Sequence, residues 1–273
     1  MHRFFIEEAQ VEPALLRQKG MAILLPENVA HQVRDVLRLA LDERLVLLDN
    51  SGEETLCAVK KSVRGEVVVE VLERQRGKSE SPVEVMLCQG MLKSARFEWI
   101  LEKGTELGVS AFLPTTCQRS TAGLEEAGVS KQKRWLRIIQ EASEQCGRAR
   151  VPTLLPVRPL MHVLGNIPEG TLALMPWEEE RAQTLRSVLR EAMTNYEEAP
   201  TRRLRVMLFI GPEGGFMAEE IMMARRHGAK IVTLGERVLR AETAAIASIA
   251  NIMYEIETTL RSRGTTKQLP IQG

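Results

Sequence analysis

Apolar and polar positions follow one rhythm up to about residue 80 and another beyond it. In the first stretch, Arg3 to Ile6, Glu43 to Asp49, Glu54 to Lys60 and Glu66 to Leu72 are short runs of β-type residues. Asn50-Ser51-Gly52 and Val63-Arg64-Gly65 separate the last three, a spacing that predicts an antiparallel meander. Between the first run and that meander, Pro26 to Leu39 places Val29, Val33, Val36 and Leu37 at helical intervals, which predicts one helix. A small barrel carrying that helix closes such a set. The segment RQRGKSESP, Arg74 to Pro82, is charged, contains Gly, Ser and Pro and has no period. It predicts a linker at 74–82 between a domain at 1–73 and a second at 83–273.

From Val83 onward strand-like and helix-like segments alternate. EVMLCQG (84–90), SAFLPTT (110–116), TLALMP (171–176), RVMLFI (205–210) and KIVTLG (230–235) are compact apolar runs. Helical patterns occupy 94–108, about 130–148, about 180–193, 218–227 and about 241–262. This alternation predicts an α/β fold, a mostly parallel sheet with helices on both faces.

Composition narrows the class without naming a function. The chain has 273 residues and a formal net charge of +1, so nothing global steers it toward a polyanion. Its longest apolar runs fall short of the roughly 18 residues of a membrane span, and the MHRFF start lacks a signal core, so a cytoplasmic protein is expected. The cysteines at 57, 88, 117 and 146 show no C-x-x-C spacing and the histidines at 2, 31, 162 and 227 no H-x-x-x-H, so no metal is expected.

The candidate chemistry sits in two loops. Leu208 to Phe216, LFIGPEGGF, delivers a strand into a glycine-rich turn, where Gly211, Gly214 and Gly215 let a ligand approach main-chain N–H groups and Pro212 stiffens the bend. After the next strand, LGERVLRAETA opens the last helix, so Gly235, Arg240, Glu242 and Thr243 fall where exposed N–H groups and side chains can meet polar atoms. Two such loops at neighbouring strand ends predict a backbone-lined ligand pocket. Neither loop is G-x-G-x-x-G or G-x-x-x-x-G-K-[ST], which argues against dinucleotide and NTP cradles. A bulky residue at Gly214 is expected to fill the ligand's space.

Positive charge is clustered locally. Arg119 ends the loop after a strand, and the helix that comes next carries Lys131, Lys133, Arg134, Arg137 and Arg148 against Glu141 and Glu144. Arg3, Arg34, Arg38, Lys60, Lys61 and Arg64 form a looser set in the first domain. Of these, Arg3, Arg34, Arg38, Arg119, Lys131 and Arg134 are candidate RNA contacts. A solvated helix face is the plain alternative, and Trp135 within the run is read as an anchor of its helix.

IGPEGGF, LGERVLRAETA, KGTELGV (103–109) with QRS (118–120), and RWLRIIQEASEQCGR (134–148), together with the N-terminal RFF and HQVRDVLR, resemble the RsmE family. These are bacterial methyltransferases acting on a uridine of 16S ribosomal RNA. The resemblance spans nearly the whole chain. It implies a SPOUT fold with a C-terminal trefoil knot, which periodicity could never show. It further implies a PUA-like N-terminal RNA-binding barrel, a homodimer, and S-adenosylmethionine as cofactor. By position, Leu174, Met175 and Pro176, the loop Gly211, Pro212, Glu213, Gly214 and Gly215, and Leu234, Gly235, Val238, Leu239, Arg240 and Thr243 would surround that cofactor. Uracil N3 carries a proton, so its methylation calls for a base or a cation that stabilises the forming anion. Arg119 is the first candidate cation, with Arg148 and Arg240 behind it, and Glu141, Glu144 and Glu213 are candidate bases. The substrate would be 16S ribosomal RNA or the 30S subunit. Two rivals stand: a non-catalytic RNA-binding assembly factor, and a methyltransferase aimed at another base or a ribose hydroxyl.

Overall fold

The computed structural model describes residues 1–7, 9–120, 128–198 and 204–262. The chain divides into two units, Met1–Glu80 with Gln140–Val151, and Ser81–Ile139 with Pro152–Gly273.

In the first unit β1 (His2–Phe5), β2 (Ala22–Leu24), β3 (Arg44–Leu48), β4 (Glu53–Val63) and β5 (Glu66–Arg76) make one sheet in the order β1-β3-β4-β5-β2. The β3-β4-β5 meander is antiparallel, as the turn residues dictate, while β1 lies parallel to β3. Alternation sorts the faces: Val67, Val69 and Val71 are buried and pack with Leu45, Leu47, Cys57 and Val59. The expected helix is shorter and less regular than its spacing implied. After α1 (Glu27–His31) the chain makes a π turn over Gln32–Val36, with the Leu37 N–H reaching the Gln32 carbonyl at 2.8 Å. The wider turn rotates the last residues of the segment away from the core. Val29 and Val33 stay buried, whereas Val36 and Leu37 end at the surface.

The stretch expected as a linker starts inside a strand. Residues 74–76 continue β5, because Arg74 is clamped by Asp49 at 2.8 Å and Glu53 at 2.6 Å and so keeps a charged stretch in the ladder. Further along, residues 140–151 return to the first unit. Ala149 packs with Phe5, Val46 and Leu48, and the buried Arg148 pairs with Glu80 at 2.9 Å. Glu80 also accepts the Ala149 and Arg150 N–H groups, and Arg150 donates to the Ser51 carbonyl at 2.7 Å.

The second unit holds β6 (Glu84–Gly90), β7 (Ala111–Thr116), β8 (Thr153–Leu154), β9 (Arg158–Pro159), β10 (Thr171–Pro176), β11 (Arg205–Ile210) and β12 (Lys230–Val232). The sheet runs β12-β10-β11-β6-β7-β8, with β9 also on β7, and every pairing is parallel. Continuous apolar strands such as Leu208 to Ile210 suit a sheet buried on both faces. The helices are α2 (Ser94–Glu106), α3 (Val129–Cys146, which counts with this unit only as far as Ile139), α4 (Leu160–Leu164), α5 (Leu185–Glu198), α6 (Ala218–Arg226) and α7 (Ala241–Ser262). From α4 and α6, Leu164, Ile221 and Ala224 pack with Met175, Met207 and Phe209. Helix α7 lies against α2, α5, β6 and β11, burying Ile249, Ile252 and Ile256. Trp135 of α3 is fully buried with its ring 4.5 Å from that of Phe97, so it anchors its helix.

Candidate functional site

The carboxyl ends of β10 and β11 and the loop after β12 converge on a cavity of about 310 Å³ in the second unit. Carboxyl ends of parallel strands are where open α/β sheets place ligands, because the strands splay into loops there. Gly211, Pro212, Glu213, Gly214 and Gly215 line it, with Ile210 and Phe216 at either end of that loop. Val238, Leu239 and Arg240 face them from the second loop, and Pro176 from the first. The loop's close course depends on two glycines. Gly215 has a φ of 69°, a left-handed backbone that side chains resist, and it closes a turn with its N–H on the Pro212 carbonyl at 2.9 Å. Gly90, at the end of β6, lies against the same loop: a β-carbon there would sit 2.6 Å from the Pro212 nitrogen. Beside it the fully buried Gln89 donates to the Gly211 carbonyl at 3.3 Å.

Other sequence-expected residues fall elsewhere. Leu174 and Met175 are fully buried in β10 and do not line the cavity. Leu234 and Gly235 line a neighbouring cavity of about 550 Å³ between α5, α7 and the loop after β12. Leu239 lies on the wall of both. Thr243 is exposed on α7 and borders neither.

Arg119 lies against the glycine loop. Its guanidinium donates to the Gly214 carbonyl at 2.8 Å, and a β-carbon on Gly214 would come within 3.0 Å of the Arg119 Cβ. A side chain at Gly214 therefore meets Arg119 first, not the ligand's space. The segment before Arg119 is braced by Glu220, a buried carboxylate that accepts the Gln118 N–H at 2.9 Å and the Met217 N–H at 2.8 Å. It ties the loop after β7 to the start of α6.

Arg148, Glu141 and Glu144 belong to the first unit. Arg148 is buried in its pair with Glu80, Glu144 accepts the Phe5 N–H at 3.1 Å, and Glu141 is exposed. Glu213 is engaged within the cavity, by Arg96 at 3.6 Å and the Lys93 N–H at 3.4 Å. Among the expected RNA contacts, Arg3 is paired with Glu54 at 2.9 Å, Arg34 with Asp35 at 2.6 Å, and Arg134 with Glu98 at 2.7 Å. The Arg34 hydrogen bond holds the Asp35 carboxyl down at about 2. Lys131 lies 5.2 Å over the Trp135 ring. Arg38 is exposed and adopts a φ of 53°, a costly backbone for a residue with a side chain.

Two charged lining residues were not foreseen. Glu178 lies two residues past β10, and its position just beyond a strand end was the available signal. Arg96, in the first turn of α2, carried none: it reaches Glu213 and, at 3.8 Å, Glu242 only through the tertiary fold. One Glu242 oxygen, Oε2, is buried without a hydrogen-bond partner. Among the described residues no three His, Cys, Asp or Glu side chains group as a metal site, and no helix is long and apolar enough to cross a membrane.

A parallel sheet with glycine-built loops at its carboxyl edge defines a small-ligand α/β protein, and similarity to known proteins specifies which. Residues 79–253 match the family model described as an RNA methyltransferase domain. Ribosomal RNA small subunit methyltransferase E of Bacillus subtilis (strain 168) is 27% identical over 260 residues, covering 94% of this chain and 98% of that protein. The protein of the same name from Mycobacterium bovis is 33% identical over 242 residues, covering 87% and 88%. The crystal structure of that enzyme from Neisseria gonorrhoeae bound to S-adenosyl methionine superposes with a TM-score of 0.77 at 27% identity, covering 93% of this chain and 97% of that one. A putative methyltransferase from Legionella pneumophila in complex with S-adenosylmethionine gives 0.76 at 28%, with the same coverage. The chain belongs to the ribosomal RNA small subunit methyltransferase E family, RsmE.

Proposed function

We propose that this protein is an S-adenosylmethionine-dependent methyltransferase that methylates N3 of a uridine in 16S ribosomal RNA, on the RNA or the 30S subunit, as a cytoplasmic homodimer. The observation that carries the reading is the convergence of the GPEGG and LGERVLR loops on one cavity at the carboxyl edge of a parallel sheet, in a chain of this family. The named relatives act on small-subunit ribosomal RNA, and two similar structures hold the cofactor.

The residues present fit that cofactor. Gly211 and Gly215 bring main chain to the cavity wall, Ile210, Phe216, Val238 and Leu239 offer apolar surface, and Glu178 and Arg240 supply charge. When bound, S-adenosylmethionine supplies a methyl group on a sulfonium. The chain's own part is to fix geometry and charge. The glycine loop, held by Gln89 below and Arg119 above, presents a fixed wall, and fixed positioning is the main lever on a one-step displacement. Arg119, exposed at the cavity's edge and oriented by the Gly214 carbonyl, is the cation we assign to the uracil anion as N3 loses its proton. Arg240 is the second candidate. Arg148 we assign to structure, since its charge is spent on Glu80.

The SPOUT arrangement with a knotted C-terminal end is part of the same proposal. Its support is the placement of β12 beside β10 rather than at the β7 edge, with α7 packed back on α2 and β6. The PUA-like RNA-docking module, expected at 1–73, is assigned to the first unit, and the methyltransferase domain, expected at 83–273, to the second. The five-stranded sheet with its one helical segment supports the former.

Two measurements test the reading. Calorimetry should show saturable binding of S-adenosylmethionine; a folded sample that binds none makes the protein an RNA-binding assembly factor. Mass mapping of ribosomal RNA from cells with and without the protein should show one uridine N3 methyl lost. A methyl lost from a ribose or another base overturns the acceptor.

A further inference from the structure

Four charged residues line the glycine-walled cavity: Arg96, Glu178, Glu213 and Arg240. Arg96 and Glu213 lie 3.6 Å apart and neutralise one another, and Glu213 also accepts the Lys93 N–H. One anion and one cation are left. Among the described residues neither the Glu178 carboxylate nor the Arg240 guanidinium has a hydrogen bond or ion pair.

Glu178 reaches the cavity because of a glycine. Its Oε1 lies 2.9 Å from where a β-carbon on Gly215 would stand, so the carboxylate occupies the space that Gly215 leaves free. This is an acceptor laid against the ligand wall. A bound phosphate would be repelled by it, and a neutral ligand would leave both charges unused at a desolvation cost. A group carrying one positive and one negative charge close together uses both.

We propose, resting on the reading of this cavity as the S-adenosylmethionine site, that Glu178 and Arg240 clamp the α-amino acid end of the cofactor. Glu178 accepts from the ammonium, whose three N–H groups need acceptors, and Arg240 donates to the carboxylate, where its planar fork matches two oxygens. Ile210, Phe216, Val238 and Leu239 are then left for the rest of the molecule. S-adenosylhomocysteine keeps the amino acid, so the clamp holds product as it holds donor.

Calorimetry on the full chain tests this with three ligands: S-adenosylhomocysteine, its decarboxylated amine, and 5′-methylthioadenosine, which lacks the amino acid. Glu178→Gln should bind the first two roughly tenfold more weakly and leave methylthioadenosine unchanged. Arg240→Gln should weaken S-adenosylhomocysteine by a similar factor and spare the other two, and Arg240→Lys should recover part of the loss. Thermal melting of each variant separates these losses from misfolding. Equal weakening of all three ligands by Glu178→Gln would put that carboxylate on the nucleoside and overturn the clamp, as would unchanged S-adenosylhomocysteine affinity in both variants. A folded wild type that binds none of the three overturns the cofactor reading itself.

Discussion

The turn around Glu80 in the first unit and the glycine loop in the second are both built on charged side chains, and they use them in opposite ways. At Glu80 every charge has a partner: Arg148 pairs with the carboxylate, the Ala149 and Arg150 N–H groups fill its remaining capacity, and Arg150 finds the Ser51 carbonyl. At the glycine loop Glu178 and Arg240 have none among the described residues, and the Gln89 Oε1 and Glu242 Oε2 atoms are buried without hydrogen bonds there. Leaving a buried polar atom unmatched costs about 1–3 kcal/mol, as at Gln89 and Glu242, whereas the exposed Glu178 and Arg240 are hydrated and stay available to a ligand in the cavity they line. Matched charges such as Arg148 stabilise the chain and are unavailable for chemistry.

The largest expected effect on this contrast comes from Arg119. Replacement by alanine should lower kcat about a hundredfold, the loss typical of one donor to a developing anion, while leaving the Kd for S-adenosylmethionine unchanged. Single-turnover kinetics beside calorimetry would separate the two. A parallel loss of affinity would make Arg119 a brace for the loop through the Gly214 carbonyl. Arg148→Met should do the reverse. It leaves Glu80 without its cation, and we expect a loss of about 2–3 kcal/mol in urea unfolding with no change in cofactor affinity. A stable but inactive variant would return Arg148 to the catalytic group.

Gly90→Ala joins the two properties at one position. Its β-carbon would meet main chain at Gly211 and Pro212, with no flexible side chain to yield. Pushing that loop should cost about 1–3 kcal/mol of stability and weaken cofactor binding by about tenfold or more. Full affinity in a destabilised protein would show that the loop can move without harm to the wall.

How much of the molecule was legible in the sequence depends on the range of each interaction. The β3-β4-β5 meander and the parallel sheet were readable because alternation and continuous apolar runs are local consequences of one buried face or two. The GPEGG loop was readable because glycine and proline act on their own backbone. The π turn was hidden, since nothing in QVRDV distinguishes it from α-helix, and so the helical spacing of Val36 and Leu37 gave no sign that they end at the surface. The return of residues 140–151 to the first unit was hidden for another reason: Glu80 and Arg148 are 68 positions apart and only the fold joins them. The site shows the same division. Its glycines were evident, while the pairing of Arg96 with Glu213, beside which Glu178 and Arg240 line the cavity with no ion pair among the described residues, depends on α2 approaching the loop.

The smallest effect concerns a property in which the two regions should agree. Cys57 in the first unit and Cys117 in the second are buried, and burial pushes both thiols up to about 12, Cys117 with a further rise from Glu220. Cys88 is raised as well, and Cys146 is only half-buried. The raised pKa means the folded chain holds these protons where the unfolded chain, near 9.0, releases them. Their contribution to stability is therefore complete below pH 9 and falls as pH climbs toward 12. Iodoacetamide at pH 8 should label Cys146 first, with Cys57, Cys88 and Cys117 reacting only as fast as the fold opens. Rapid labelling of Cys117 alone would mean that the loop beneath Arg119 opens independently of the sheet, and the fixed wall on which the glycine loop's contrast with Glu80 depends would be gone.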